Sequence, residues 1–563
     1  MMTRRDFLQW ASVTAALTGF SGGLSRVAAQ QSLTQDDLLA FDARGQITLL
    51  HLTDLHAQLK PVYCRAPSEN IGVGDHAGIP PHLVGEDFLA HFGLSRGSAL
   101  AHAHTMVDYV DMARAYGRLG GLDRIATLVR YIRAERGDDR VLLLDGGDTW
   151  QGSYTALHTA AQDMVDCMAL LKPDAMVGHW EFTLGEERVL EIIDSMNYPF
   201  LASNIVDRDW EEPVFESTVL REAGGVRVAV IGQAMPYTPI ANPRWMVPDW
   251  SFGLRLDALQ QNVDAARASG AEVVVLLSHN GFDVDRKLAA DIRGVDVILT
   301  GHTHDAIPRA IKVGKTLLLA SGSHGRFLGR VDLHVKHGRI VDYNSALIPV
   351  FADVITPDAQ MKAQIDRVRA PFEKETSRVI GKTESLLYRR GNFNGTWDDL
   401  ICEGMMEKRD AQLALSPGFR WGTTVLPGDD ITIDELYNQT AISYPSVYRL
   451  ELTGAQLHEI LEDVCDNLFN KDPYYQQGGD MVRVGGMGYT CDPHASMGSR
   501  ISDMTLLETG ELIDASRSYV VAGWGSVNEG VEGPAIYELM EQYIEDRELI
   551  SIRKNDAIRV KGS

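Results

Sequence analysis

The sequence predicts an α/β layered N-terminal domain joined by a linker helix to a smaller α+β domain, and three observations carry that prediction. From about residue 46 to 348, short apolar runs alternate with helical patterns. Near-continuous runs of this kind mark strands buried on both faces, hence a sheet covered by helices. From residue 379 onward the texture changes to α+β, with many glycines and aromatic side chains. A chain of 563 residues is also too long for one compact core, so two domains are its natural division.

Taken from the N-terminus, residues 1–29 read as an export signal. Arg4 and Arg5, followed by Phe7 and Leu8, resemble the twin-arginine motif. The apolar stretch 11–23 is too short and too rich in Gly, Ser and Thr to span a membrane. Val27, Ala28 and Ala29 supply the small residues of a cleavage site, so the mature protein is expected in the periplasm.

The first domain, residues 30–355, opens with a strand at 47–52. Leu122, Ile125, Leu128, Val129 and Ile132 share one helical face, and the runs 141–145, 226–231, 272–277 and 295–300 are further strands. Residues 60–117 break this rhythm and read as an insertion over the sheet. Its His76, His82, His91, His102 and His104 lack paired spacing with a carboxylate at a strand end, which assigns them surface or packing roles. Residues 356–378 form the linker, with Met361, Ile365, Val368 and Phe372 on one face of a helix. The second domain occupies 379–563.

Net charge is −24 and pI about 5.1. A field of that sign repels phosphate backbones and anionic lipid, which excludes nucleic acid and membranes as partners. An anionic substrate then needs local positive charge, from metal ions or arginine. The five cysteines, Cys64, Cys167, Cys402, Cys465 and Cys491, are scattered and form no CxxC pair. They read as free structural residues rather than a disulfide framework or a thiolate metal site.

Four strand-to-loop junctions carry the chemistry. Asp54 and His56 follow the first strand, and a carboxylate with an imidazole two residues on can face one cation. Gly146-Gly147-Asp148 follows the strand at 141–145, where glycines permit a tight turn and one carboxylate can bridge two metals. His279 and the pair His302 and His304 end two later apolar runs. A single junction of this kind is weak evidence, but four in this order are specific.

Together they resemble the calcineurin-like metallophosphoesterases, and the long second domain narrows this to the 5′-nucleotidase branch. The resemblance implies an αββα sandwich for the first domain and a 5′-nucleotidase-like second domain. It implies that Asp54, His56 and His304 hold one metal, that His179, His279 and His302 hold the other, and that Asp148 bridges them. In that branch a further junction reads Gly-Asn-His-Glu, with a ligand followed by a catalytic histidine. Here it reads Gly178-His179-Trp180-Glu181, and Thr183 stands where that histidine's acidic partner is usual. A phosphate ester benefits from an imidazolium at its leaving group. A thiol-type leaving group, titrating near ~8.5, departs without one. Trp180 then serves as a wall against water.

The stretches 53–63, 144–152, 178–182, 388–397, 416–422 and 474–480 resemble the SoxB sulfate thiohydrolases of the Sox sulfur-oxidation system, while Cys64 and Ala66 depart from that family's Phe and Glu. The family implies hydrolysis of the sulfonate from a cysteine-bound thiosulfonate on a SoxYZ carrier, with a manganese pair as cofactor; the ligand chemistry leaves zinc or iron open. Arg420 lies where nucleotidases carry a substrate-binding arginine, and a guanidinium offers two parallel donors to an oxyanion. Asp148, Trp180 and Arg420 are therefore the candidate catalytic residues. No aromatic pair stands out for sandwiching a nucleobase, Phe393, Trp397 and Tyr489 being the remaining candidates. The rival readings are an exported 5′-nucleotidase or other phosphoesterase, and a non-catalytic protein that docks the carrier.

Overall fold

The computed structural model describes residues 33–562, so the signal read at 1–29 lies outside the described residues. Eleven strands build the two main sheets of the first domain: β1 Ile47–Leu52, β2 Val141–Asp145, β3 Ala175–Met176, β4 Thr218–Ala223, β5 Val226–Gln233, β6 Val273–Ser278, β7 Val297–Thr300, β8 Ile311–Val313, β9 Thr316–Ala320, β10 Phe327–Lys336 and β11 Arg339–Pro349. They form two sheets, ordered β11-β10-β1-β2-β3 and β8-β9-β7-β6-β5-β4. Strands β1, β2 and β3 run parallel, as do β5, β6, β7 and β9.

Alternate residues of each strand point to opposite faces, and in the central strands β1, β2, β6 and β7 both faces are buried, which is why these runs are mainly apolar. Leu49 and Leu144 of one sheet pack on Val230, Val275 and Leu299 of the other. Leu50 and Leu143 face outward onto helices α1 (Leu122–Arg136) and α2 (Gln162–Leu171). Val274 and Ile298 face outward onto α3 (Leu256–Ala268) and α4 (Phe282–Asp291). The layers are thus αββα. Each large apolar side chain in them contributes about 1.5–3 kcal/mol by burial.

The linker differs from its expectation of one helix. Helix α5 spans Ala359–Arg369, and a separate short turn spans Glu373–Thr376. Pro371 lies between them; its ring and missing N–H end the first helix. Met361 and Ile365 still bury against the first domain.

In the second domain, α6 (Thr396–Arg409) and α7 (Gly454–Phe469) flank β12 Leu413–Ser416, β13 Val447–Thr453, β14 Arg483–Gly485, β15 Met487–Cys491, β16 Ile501–Leu506, β17 Ser518–Trp524 and β18 Ile558–Val560. The sheets run β13-β17-β12-β14 and β16-β15-β18. The insertion carries three short helices and its own apolar cluster around Phe88, Leu89 and Leu94. It reaches the second domain, where the Thr424 N–H donates to the Tyr63 carbonyl at 2.7 Å. Among the described residues no helix is long and apolar enough to cross a membrane.

Candidate metal centre

The loops leaving the carboxyl ends of β1, β2, β3, β6 and β7 meet at one edge of the two sheets. They carry Asp54 and His56, Asp148, His179, His279, and His302 and His304, all at most 8% exposed. Five of these backbones are left-handed, with φ of 52° at Asp54, 46° at His56, 56° at Asp148, 74° at His302 and 59° at His304. Such a conformation costs a non-glycine residue ~1–2 kcal/mol. Bonds between loops offset that cost: Asp54 N–H donates to the Gly147 carbonyl at 2.8 Å, His56 N–H to the Asp148 carbonyl at 2.8 Å, and His302 N–H to the Asp54 carboxylate at 3.1 Å. At Gly147, with φ 85°, a Cβ would sit 2.8 Å from the Val177 carbonyl oxygen, so the turn ahead of Asp148 needs glycine.

The side chains converge into two groups. Donor atoms of Asp148, His179, His279 and His302 lie within 4.8 Å of one another, and so do those of Asp54, His56, Asp148 and His304. Asp148 belongs to both: its Oδ2 is 3.0 Å from His279 Nε2 and 3.2 Å from His179 Nδ1, while Oδ1 accepts the Trp180 N–H at 2.8 Å. His279 donates Nδ1–H to the Gly146 carbonyl at 2.5 Å, which leaves Nε2 turned to the centre. His56 Nε2 and His304 Nε2 lie 3.0 Å apart, and His302 Nε2 is buried without a hydrogen-bond partner. Two carboxylates and five imidazoles with nitrogens facing one another fit a pair of divalent first-row cations. The fold and these clusters make a dinuclear metal site.

Electrostatics agree with that fit. Burial holds His302 and His304 well below the ordinary imidazole range, and neighbouring histidines push the same way, so both offer neutral lone pairs. His279 behaves oppositely. Burial works against its charge, but Asp148 and Asp54 outweigh burial and raise its pKa to about 10. Cation uptake there displaces a proton.

Trp180 is 5% exposed and stands in an aromatic box. Its ring meets Phe419 edge-on at 4.9 Å and Trp421 edge-on at 6.1 Å, and stacks with Tyr444 at 6.2 Å. Thr183 turns back into its own backbone, donating Oγ1–H to the Trp180 carbonyl at 2.7 Å. Arg420 comes from the second domain, with Nε 3.7 Å from Asp480 Oδ1 and a buried Nη1 that has no hydrogen-bond partner. A cavity of about 410 Å³ opens from the centre, lined by His56, Asp148, Trp180, Arg420, Val464 and Trp524 among others. Phe393, Trp397 and Tyr489 do not face it; all three lie in the second-domain core.

Sequence reasoning passed over four contributors. Glu181 is fully buried, and its carboxylate accepts the N–H groups of His179 and Thr149, each at 2.7 Å, tying the His179 loop to the Asp148 loop. Asn242 Oδ1 lies 3.2 Å from His179 Nε2. Arg390 brings a second guanidinium beside the centre, Nη1 3.4 Å from Asp480 Oδ2. Gly478, with φ 81°, lies over His302 so closely that a Cβ would fall 1.8 Å from Nε2. The doublet Arg389-Arg390 and the run Gly478-Gly479-Asp480 were visible signals, but nothing in their spacing aimed them at strand ends in the first domain.

The calcineurin-like phosphoesterase profile matches residues 47–306, and the 5′-nucleotidase C-terminal domain profile matches 379–539. The rat 5′-nucleotidase is 25% identical over 438 residues, covering 69% of this chain and 73% of that protein. The solved sulfate thiohydrolase SoxB of Thermus thermophilus superposes with a TM-score of 0.90 at 38% identity, covering 93% of this chain and 98% of that one. A 5′-nucleotidase precursor, also from Thermus thermophilus, shares the fold, with a TM-score of 0.72 at 20% identity over 92% of this chain and all of that one (100%).

Proposed function

The chain belongs to the SoxB family, within the two-domain hydrolases that pair a calcineurin-like phosphoesterase domain with a 5′-nucleotidase C-terminal domain, and from that premise we propose that it is a sulfate thiohydrolase. Its substrate on this reading is a cysteine S-thiosulfonate on a SoxYZ carrier. Water adds to the terminal sulfur, the bond from that sulfur to the sulfane sulfur breaks, and Cys–S–S–SO₃⁻ with water gives Cys–S–SH and HSO₄⁻.

The observation that carries the reading is Trp180. It occupies the position where the related phosphoesterases place an acid–base histidine, and it is boxed by Phe419, Trp421 and Tyr444. Such a wall excludes water and donates no proton, which suits a leaving group that needs none. Arg420 lines the same cavity and its buried Nη1 has no hydrogen-bond partner, so its guanidinium has donors to spare for sulfonate oxygens. Arg390 adds a second positive charge beside it, so the site attracts an anion within a protein whose net charge is −24. Asp54, His56, Asp148, His179, His279, His302 and His304 would hold the ions, which we take to be manganese. When bound, two such ions activate water and neutralise sulfonate charge.

The reading includes export to the periplasm through the signal at Arg4 and Arg5. Changing both to lysine should strand the protein in the cytoplasm with its signal uncleaved; unimpeded mature protein in the periplasm contradicts it. The chemistry is tested by following sulfate release from a carrier-bound thiosulfonate beside phosphate release from AMP. Rapid sulfate release with negligible phosphate is the expected result. Efficient AMP cleavage with no sulfate release would make the protein a 5′-nucleotidase, the direction in which the 25% identity to the rat enzyme points.

A further inference from the structure

Two thiols in the second domain take no part in the centre. Cys465 on α7 and Cys491 at the end of β15 are fully buried in one apolar cluster with Leu461 and Tyr489, and their Sγ atoms lie 3.4 Å apart. Cys167 and Cys402 lie in two other clusters. We propose that Cys465 and Cys491 form a disulfide that staples α7 to β15. The reaction is a thiol–disulfide exchange: a disulfide-bearing oxidant gives up its own S–S bond, takes both thiol protons, and leaves as two thiols while the Cys465–Cys491 bond forms.

Three features carry this. Closing from 3.4 Å to a bond of about 2.05 Å is a small movement of two side chains. The two elements are already fixed to each other near the thiols. The Glu462 carboxylate accepts the Gly498 and Ile501 N–H groups, each at 2.7 Å, and Arg500 bonds Asp466 Oδ1 at 2.6 Å and the Phe469 carbonyl at 3.2 Å. Ile501 is in turn the β16 partner of Cys491. Finally, the bond would close a loop across a 26-residue separation, which constrains the unfolded chain.

The staple bears on the site. Helix α7 presents Asp463, Val464 and Asn467 to the 410 Å³ cavity, so the bond pins the helix that forms one wall of the site. The hydrogen bond to Cys491, together with burial, raises the Cys465 thiol far above its ordinary range, so exchange requires the core to open.

Formation in the cell rests on the export reading, since that compartment is oxidising. The test takes full-length protein purified under reductant, exposes it to oxidised glutathione in sub-denaturing urea, then alkylates and digests it. The expected result is a peptide joining Cys465 to Cys491, a mass lower by about 2 Da and a Tm higher by roughly 5–10 °C. All three disappear in Cys465→Ala and in Cys491→Ala and persist in Cys402→Ala. Full alkylation of all five cysteines after oxidation, or a link between a different pair, overturns the proposal. Mapping protein taken directly from periplasm and cytoplasm reads the premise separately. A bond that forms in vitro while cellular protein stays reduced in the cytoplasm supports the pairing and refutes export.

Discussion

Two groups of buried histidines, in the metal centre and in the insertion, differ in what their nitrogens face. In the centre, His56 and His304 turn toward each other and toward Asp54 and Asp148, while His302 turns toward His179, His279 and Asp148, its Nε2 left without a hydrogen-bond partner. In the insertion, His102 stacks on Tyr116 with centroids 5.9 Å apart, and His104 meets Phe327 at 4.8 Å while its Nδ1 donates to the Leu100 carbonyl at 2.9 Å. His76 and His82 each bond Asp283, at 3.0 and 2.7 Å, and so pin the insertion to the first turn of α4. Burial is common to most of these residues. Convergence of donor atoms distinguishes the centre.

The largest effect should come from breaking convergence. Asp148→Asn removes the one carboxylate shared by both groups, and turnover should fall by about a thousandfold or more. Near-normal rates in that variant would mean that the two groups do not act as one centre. The next test alters the wall beside it. Trp180→His with Thr183→Asp places an imidazole and a carboxylate where an aromatic box now stands, and should shift the ratio of phosphate to sulfate release by about a hundredfold. An unchanged ratio would locate selectivity elsewhere in the cavity.

The same distinction between satisfied and aimed groups applies to arginines. Arg389 is bonded at 2.8 Å to Asp398 and at 2.9 Å to the Gln439 carbonyl, whereas Arg420, which lines the cavity, has an Nη1 without a hydrogen-bond partner. Arg420→Ala should cost about 1.5–3 kcal/mol of transition-state binding, or ~10–150-fold in kcat/KM. Steady-state kinetics with the thiosulfonate read this directly, and an unchanged value removes Arg420 from the site.

The effect expected in the insertion is on stability rather than turnover, and it is one of pH. Burial lowers His102 and His104 to about 4 in the folded protein, against roughly 6.5 when unfolded. Between those values the unfolded state binds more protons. Stability is therefore full above pH ~6.5 and falls toward pH ~4, by up to about 3 kcal/mol per histidine. Urea titrations at several pH values should show His102→Gln with His104→Gln flattening this slope. A slope identical to wild type contradicts the assignment.

The strands at 47–52 and 141–145 were legible to the residue because their apolar runs are bounded by polar loops, while β5, β6 and β7 differed from the reading by one or two residues at their ends. The seven residues read as ligands fall in the two convergent groups, since each directly follows or lies near a strand end. Pro371 was visible, yet the apolar spacing on both sides of it suggested one continuous helix. Glu181, Asn242, Arg390 and Gly478 were missed for a different reason. Each acts through a contact made by tertiary folding, which no local period or spacing records.

The count of bound metal tests this account most directly. Protein freed of metal, reloaded with a divalent ion and desalted should hold two ions per chain in the wild type and in the double variant His102→Gln with His104→Gln. Asp148→Asn should hold fewer than two. Two ions in Asp148→Asn, or a loss of metal on changing His102 and His104, would contradict the claim that convergence at Asp148 makes the centre.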